Sequence, residues 1–206
     1  MLDEINIESF LAHEDLHVSE EWKERILEEL KKCDIFVPLL SEAFKSSDWC
    51  GQETGVIATR RRVLIIPLSV DETLPYGFIS NIQCHRMPSA GIDAQTILTA
   101  LGRKWPSVAI DGLLKRVQLA NSFRGAEKLM EPLVPYFEKL SKDQATRLAS
   151  MAVENSQIWD AALCRDDYLP KFLKLNRAKI PTSLYRPLKY QIENQRWYRD
   201  KRQRQT

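Results

Sequence analysis

Two uninterrupted apolar runs, IFVPLL (Ile35 to Leu40) and VLIIPL (Val63 to Leu68), stand on either side of a polar stretch, SEAFKSSDWCGQETG, that runs from Ser41 to Gly55. Neither run alternates, so each reads as a strand covered on both faces. The segment between them predicts a helix from about Asp48 to Arg60. Strand, helix and strand in that order form a βαβ unit with parallel strands, and this part of the chain is thereby held to an α/β architecture. Pro38 has no N–H to give to a ladder, so the first strand should be irregular or lightly paired near its end.

The flanking segments extend the same alternation. Ile5, Ile7, Phe10 and Leu11 predict a short strand ending near Ala12. In HVSEEWKERILEELKKCD, Ser19 is placed to cap a helix, Glu20 and Glu21 sit in its positive first turn, and Lys31 and Lys32 sit in its negative last turn. Trp22, Ile26, Leu27 and Leu30 share one face, as an amphipathic helix lying on a sheet requires. Beyond the second apolar run, a loop with Asp71, Glu72, Pro75 and Gly77 leads to a weaker strand at Gln83 to Met87 and a helix at Ala94 to Leu101. The expected fold is a doubly wound parallel sheet over residues 1–104.

From Pro106 the strand signals stop. Gly125 to Leu140, Asp143 to Glu154 and Asp166 to Leu175 have helical spacing, with Pro132, Pro135, Pro170 and Pro181 near starts or bends. Residues 105–206 are therefore expected to be all-helical, ending in a basic tail, RWYRDKRQRQT, that frays. Charge divides the chain at the same place: residues 1–100 hold nine Lys and Arg against 17 Asp and Glu, and residues 101–206 hold 21 against 11. A net charge of +2 thus hides halves of −8 and +10, a split that supports two units with different jobs. Cys33, Cys50, Cys84 and Cys164 lack a paired metal-type spacing, and no apolar segment has the length of a signal peptide or a membrane span, so a reducing cytoplasm is the expected location.

The residues that point to chemistry are Trp49, Cys50 and Glu53. In a doubly wound sheet the helix that follows a strand starts at the carboxyl edge, where ligands bind. Glu53 lies one turn in from that edge and four residues from Trp49, which puts an indole and a carboxylate on one face. Such a carboxylate can stabilise positive charge developing in a transition state. On spacing alone, a Glu there is ordinarily a surface residue that complements the helix dipole.

FLAHED, DLHVSEEW, KKCDIFVPLLSEAFKSSDWCGQE and RVLIIPLSVD, in continuous order, closely resemble the Toll/interleukin-1 receptor (TIR) domain of bacterial type. The resemblance implies a flavodoxin-like sheet of strand order 2-1-3-4-5. It also implies that the first strand and helix, with their FISYS-type loop, are missing from this chain, so that the sheet lacks its central strand between Ile7–Ala12 and Ile35–Leu40. The family's S-x-W-C-x-x-E signature falls on Ser47, Trp49, Cys50 and Glu53. Its glutamate is the residue that cleaves the nicotinamide–ribose bond of NAD+ in enzymatic members. Asp15 to Trp22 becomes the loop that borders the substrate cleft and mediates assembly, with Val18-Ser19 where a Pro-Gly is common.

The resemblance implies an assembly-activated NAD+ glycohydrolase of bacterial defence or signalling. Glu53 would be catalytic, and Trp49, Ser47, Cys50, Asp15 and Trp22 would hold the substrate. NAD+ is then a substrate, with no cofactor and no metal, and the partners are further copies or other TIR proteins. The other reading is a TIR interaction module without catalysis.

Three further features have plainer explanations. His13-Glu14-Asp15-Leu16-His17 matches the H-E-x-x-H pattern of zinc peptidases, but the TIR register sets His13 at a strand end and His17 in a loop rather than on one helical face. Arg60, Arg61 and Arg62 are expected to close the helix that carries Glu53 against its own dipole. In the tail, Arg196, Trp197, Tyr198, Arg199, Lys201, Arg202 and Arg204 interleave rings and charge as binders of single-stranded nucleic acid or of an acidic partner do, but a solvated, fraying tail is the simpler account, so no nucleic-acid partner is assigned.

Overall fold

The computed structural model describes residues 7–11, 22–88, 91 and 94–203, the last nine of these as backbone only. The described residues fall into two compact units, the first of Glu8–Ala100 and the second beginning at Leu101.

In the first unit, α1 (Trp22–Lys32) leads into β1 (Ile35–Phe36) and β2 (Leu39–Leu40). The short helix α2 (Glu42–Ser46) and the longer α3 (Asp48–Ala58) follow, then β3 (Leu64–Ile65), β4 (Leu68–Ser69), a 3-10 turn at Gly77–Ile79 and β5 (His85–Arg86). Each apolar run is thus one strand in two pieces. The ladder between the runs continues across the breaks: Leu64, Ile66, Leu68 and Val70 donate N–H to the carbonyls of Asp34, Phe36, Pro38 and Leu40 at 2.9–3.0 Å. The return bonds fail where Pro38 has no N–H, which divides β1 from β2. On the other side His85 and Met87 donate to Pro67 and Ser69 at 2.9 and 2.8 Å. All pairings are parallel, with 64–69 between 35–40 and 85–86. This is the parallel α/β arrangement that the two apolar runs predict.

In its described part, residues 7–11, the strand expected to end near Ala12 is irregular chain. Phe10 instead lies under the guanidinium of Arg25 from α1, 5.6 Å from its ring centroid. The expected caps at Ser19 and the loop residues 12–21, including Asp15, His13 and His17, fall outside the described residues. The core of the unit is built by Leu40, Ile57, Ile66, Leu68, Ile79 and Leu98, each below 5% exposed. The helix α4 (Ala94–Lys104) leads out of it.

The second unit continues with α5 (Pro106–Gln118), which starts on a proline at the position where a missing N–H costs nothing. Then come α6 (Phe123–Met130), a 3-10 stretch (Glu131–Lys139), α7 (Lys142–Glu154), α8 (Ser156–Trp159), a π-helical turn (Cys164–Tyr168), α9 (Leu169–Asn176) and α10 (Thr182–Gln203). The single helix expected over 125–140 is divided at Met130, because Pro132 and Pro135 withhold two N–H groups and the chain tightens into 3-10 geometry. At the end, the tail expected to fray is helical in backbone through Gln203.

Phe137 and Phe172, both fully buried with ring centroids 5.5 Å apart, form the centre of this core with Leu133, Leu148, Ile158 and Leu188. Asn176 ties its ends by donating from Nδ2 to the carbonyls of Phe137 (2.9 Å) and Phe172 (3.2 Å). Arg165, 1% exposed, binds both carboxylate oxygens of Asp166 at 2.8 and 2.9 Å and the side chain of Asp160 at 3.1 Å. Burying a guanidinium is costly, and this bidentate clamp is what makes it tolerable.

Candidate functional site

Ser41 and Ser47 set up the site. Ser41 lies at the carboxyl end of β2, extended at φ −148°, and its Oγ accepts the N–H of Phe44 at 3.0 Å, starting α2. Ser47 ends that helix and begins the next, its Oγ accepting the N–H of Cys50 at 3.3 Å. Two helix starts follow each other at the edge of the sheet, with Asp48 in the positive first turn of α3.

Within α3, Thr54 turns inward, 5% exposed, and donates its hydroxyl to the carbonyl of Cys50 at 2.7 Å. Trp49 and Glu53 lie one turn apart along the helix and share a face. The ring of Trp49 meets that of Trp22, the first described residue of α1, edge to face at 4.5 Å between centroids and 66° between planes. Both indoles are nearly half exposed, at 43% and 45%. An aromatic pair of this kind contributes about 0.5–1.5 kcal/mol beyond its area, and here it joins the packed helices α1 and α3 while leaving two ring edges open to a ligand.

Glu53 itself is half-buried, and among the described residues no hydrogen bond or ion pair engages its carboxylate. Burial alone raises its pKa above the ordinary carboxylate value. A charged group removed from water without a partner works against folding, so this carboxylate has no structural employment in the unit.

The sequence reading missed a second polar cluster at the same edge. Asp71, just past β4, accepts the Thr73 hydroxyl at 2.6 Å, the Glu42 N–H at 3.0 Å and the Thr73 N–H at 3.1 Å, and these bonds lower its pKa. It therefore serves the start of α2 as well as its own turn. Asp-x-Thr after a strand is the signal that could have found it. Glu72 follows in the left-handed region at φ 73° and pairs with Arg86 of β5 at 2.5 Å. Tyr76 donates to the carbonyl of Phe44 at 3.4 Å and stands edge to face with its ring, and burial, then the nearby Cys50, raises its pKa.

The structure thus brings Ser47, Trp49, Cys50 and Glu53 onto one helix start with Trp22 beside it, while Asp15 lies outside the described residues. Arg60 does not close its own helix as expected. Its Nη1 donates to the carbonyls of Leu30 (2.5 Å) and Cys33 (2.9 Å), capping α1 instead, because α1 ends beside the place where α3 does. Among the described residues no cluster of His, Cys, Asp and Glu is built to hold a metal, and no helix is long and apolar enough to cross a membrane.

Residues 1–97 match the family model of the TIR domain. No curated protein and no solved structure matches the chain.

Proposed function

Residues 1–97 are a TIR domain, and on that premise we propose that the chain is an NAD+ glycohydrolase with Glu53 as its catalytic carboxylate. The observation that carries this reading is the half-buried Glu53 carboxylate without a partner, one helical turn from an exposed pair of indoles. Cleavage of the bond between nicotinamide and ribose leaves an oxocarbenium-like sugar, and nicotinamide departs neutral. Little acid catalysis is needed; an anion near the anomeric carbon lowers the barrier. Water then adds to that carbon and releases a proton, giving ADP-ribose. Trp49 and Trp22 offer the ring surface against which a flat heterocycle lies, and Ser47 and Cys50 line the same helix start. Bacterial defence or signalling, with activation by self-association through the TIR domain, is the setting the family provides.

The exposed indoles serve equally well as a docking surface for other TIR domains, which is the second reading. NAD+ consumption by the parent protein and by Glu53→Gln separates the two. The expected result is loss of at least about a hundredfold in the variant with its circular dichroism unchanged, the scale of a lost electrostatic stabiliser. Equal consumption in both proteins, or none in either, removes the catalytic reading.

A further inference from the structure

The positive charge of the helical unit is gathered in one stretch. Residues 171–206 hold 11 Lys and Arg against Glu193 and Asp200, whereas residues 101–170 hold ten against nine acids. Lys171, Lys174 and Arg186 are exposed, and among the described residues no carboxylate pairs with them. Lys189 meets Glu193 at 3.6 Å, in an exposed pair that contributes little.

Two of these cations, Lys174 and Lys189, stand at a groove of about 290 Å³ between α9 and α10, which Pro170, Tyr185 and the buried Leu173 and Ile192 also line. The guanidinium of Arg177 lies over the Tyr185 ring, 4.0 Å from its centroid, and holds it in place. Arg186 and Tyr190, four residues apart on α10, share the side away from the fully buried Leu188, and Tyr190 is 67% exposed. Trp197 and Lys201 follow Tyr190 at helical spacing, in a helix whose backbone continues through Gln203.

We propose that α9 and α10 bind single-stranded nucleic acid, with phosphates along Lys174, Arg186 and Lys189 and base faces on Tyr190 and in the groove at Tyr185. A single strand offers both chemistries that this surface repeats, a line of anions and flat rings free to stack. A duplex keeps its bases stacked on one another, out of reach of the tyrosines. An anionic membrane needs a free apolar stripe, and that of α10 is already used in the core at Leu188 and Ile192. The proposal goes beyond catalysis and does not depend on Glu53.

The test is fluorescence anisotropy of the full chain with end-labelled oligothymidylate or oligouridylate of about 20 nucleotides, long enough for a site of this kind. A duplex of equal length, polyglutamate and phosphatidylserine vesicles are the competitors. A dissociation constant of about 1 μM or below is expected for a single strand at about 50 mM salt, weakening with salt at a logarithmic slope of about −2 to −3. Lys174→Glu combined with Lys189→Glu should weaken strand binding about thirtyfold or more. Tyr190→Ala should weaken it about fivefold or more and leave duplex binding unchanged, because only the strand stacks. All three positions are exposed, so the circular dichroism of the variants should be that of the parent. Absence of strand binding overturns the proposal, as does strand binding that these substitutions leave unchanged. Competition by polyglutamate or by vesicles as strong as that by unlabelled strand overturns it too, and assigns the surface to an acidic protein or to a lipid surface.

Discussion

The two units satisfy their groups to different degrees. In the helical unit Phe137, Phe172, Met130, Leu148 and Leu188 have no exposed surface, and its buried cation, Arg165, has carboxylates on both sides. Cys164, fully buried there, has its thiol pKa pushed up to about 12 by burial and then by Glu127, which makes it inert packing. In the α/β unit Ile35, Phe36, Leu64 and Ile65 are only half-buried, and Leu74 and Phe78 are 74% and 80% exposed. The distinction is one of degree, since the buried Asn176 Oδ1 and Gln191 Oε1 lack partners in the helical unit as Ser69 Oγ does in the other. Catalysis is to be sought in the α/β unit, which leaves a carboxylate and two half-exposed indoles uncommitted.

The largest effect should come from the aromatic cores. Phe137→Ala removes a fully buried ring packed on Phe172 and should cost about 3–5 kcal/mol. Phe36→Ala empties a half-buried site and should cost about 1–2 kcal/mol, because much of that ring's surface stays in contact with water. Urea unfolding of the two variants measures both. A loss at Phe36 equal to that at Phe137 would show that the strands are better covered than their exposure indicates.

Helix caps differ between the two units in the same sense. Ser141 accepts the Gln144 N–H at 3.1 Å while the Gln144 side chain accepts the Ser141 N–H at 3.0 Å, and Gln144 also reaches Ser107. Ser141→Ala breaks this reciprocal box and should cost about 1–2 kcal/mol. Ser47→Ala loses one longer bond, at 3.3 Å, and should cost about 0.5–1 kcal/mol. Its consequence for chemistry should be the larger of the two, since the turn it fixes carries Trp49 and Glu53: NAD+ cleavage should fall severalfold in Ser47→Ala and stay unchanged in Ser141→Ala.

How much of this was legible in the sequence depends on range. IFVPLL and VLIIPL declared parallel strands because uninterrupted apolar runs have few other uses, and Pro38 announced the break by what it lacks. The S-x-W-C-x-x-E spacing placed Trp49 and Glu53 on one face because helical periodicity is local. Contacts between segments were not readable. Arg60 caps the helix thirty residues upstream and Trp22 meets Trp49, and neither leaves a local pattern; at Asp71 the turn was legible in Asp-x-Thr, its bond to the start of α2 was not. Pro132 and Pro135 were visible, yet their effect on the helix type after Met130 depends on the packing of the whole turn.

The smallest effect, and the one that tests the carboxylate without any substrate, is the pH dependence of stability in Glu53→Gln. Burial raises the Glu53 pKa in the folded protein, while the unfolded chain keeps the ordinary value. Below that ordinary value both states hold the proton and the group contributes no difference. Between it and the raised folded value, the folded protein binds the proton that the unfolded chain has released, so stability declines as pH rises and the full penalty stands above the folded pKa. Glutamine carries no such penalty. The variant should therefore match the parent in urea midpoint at pH 4 and exceed it at pH 7, with the gain appearing as pH passes upward through the window. No comparable gain should follow from Asp166→Asn in the helical unit, where the carboxylate holds Arg165 and its loss costs stability at pH 7. A Glu53→Gln variant less stable than the parent at pH 7 would mean that the carboxylate has a structural partner after all, and the site would lose the free charge on which its chemistry depends.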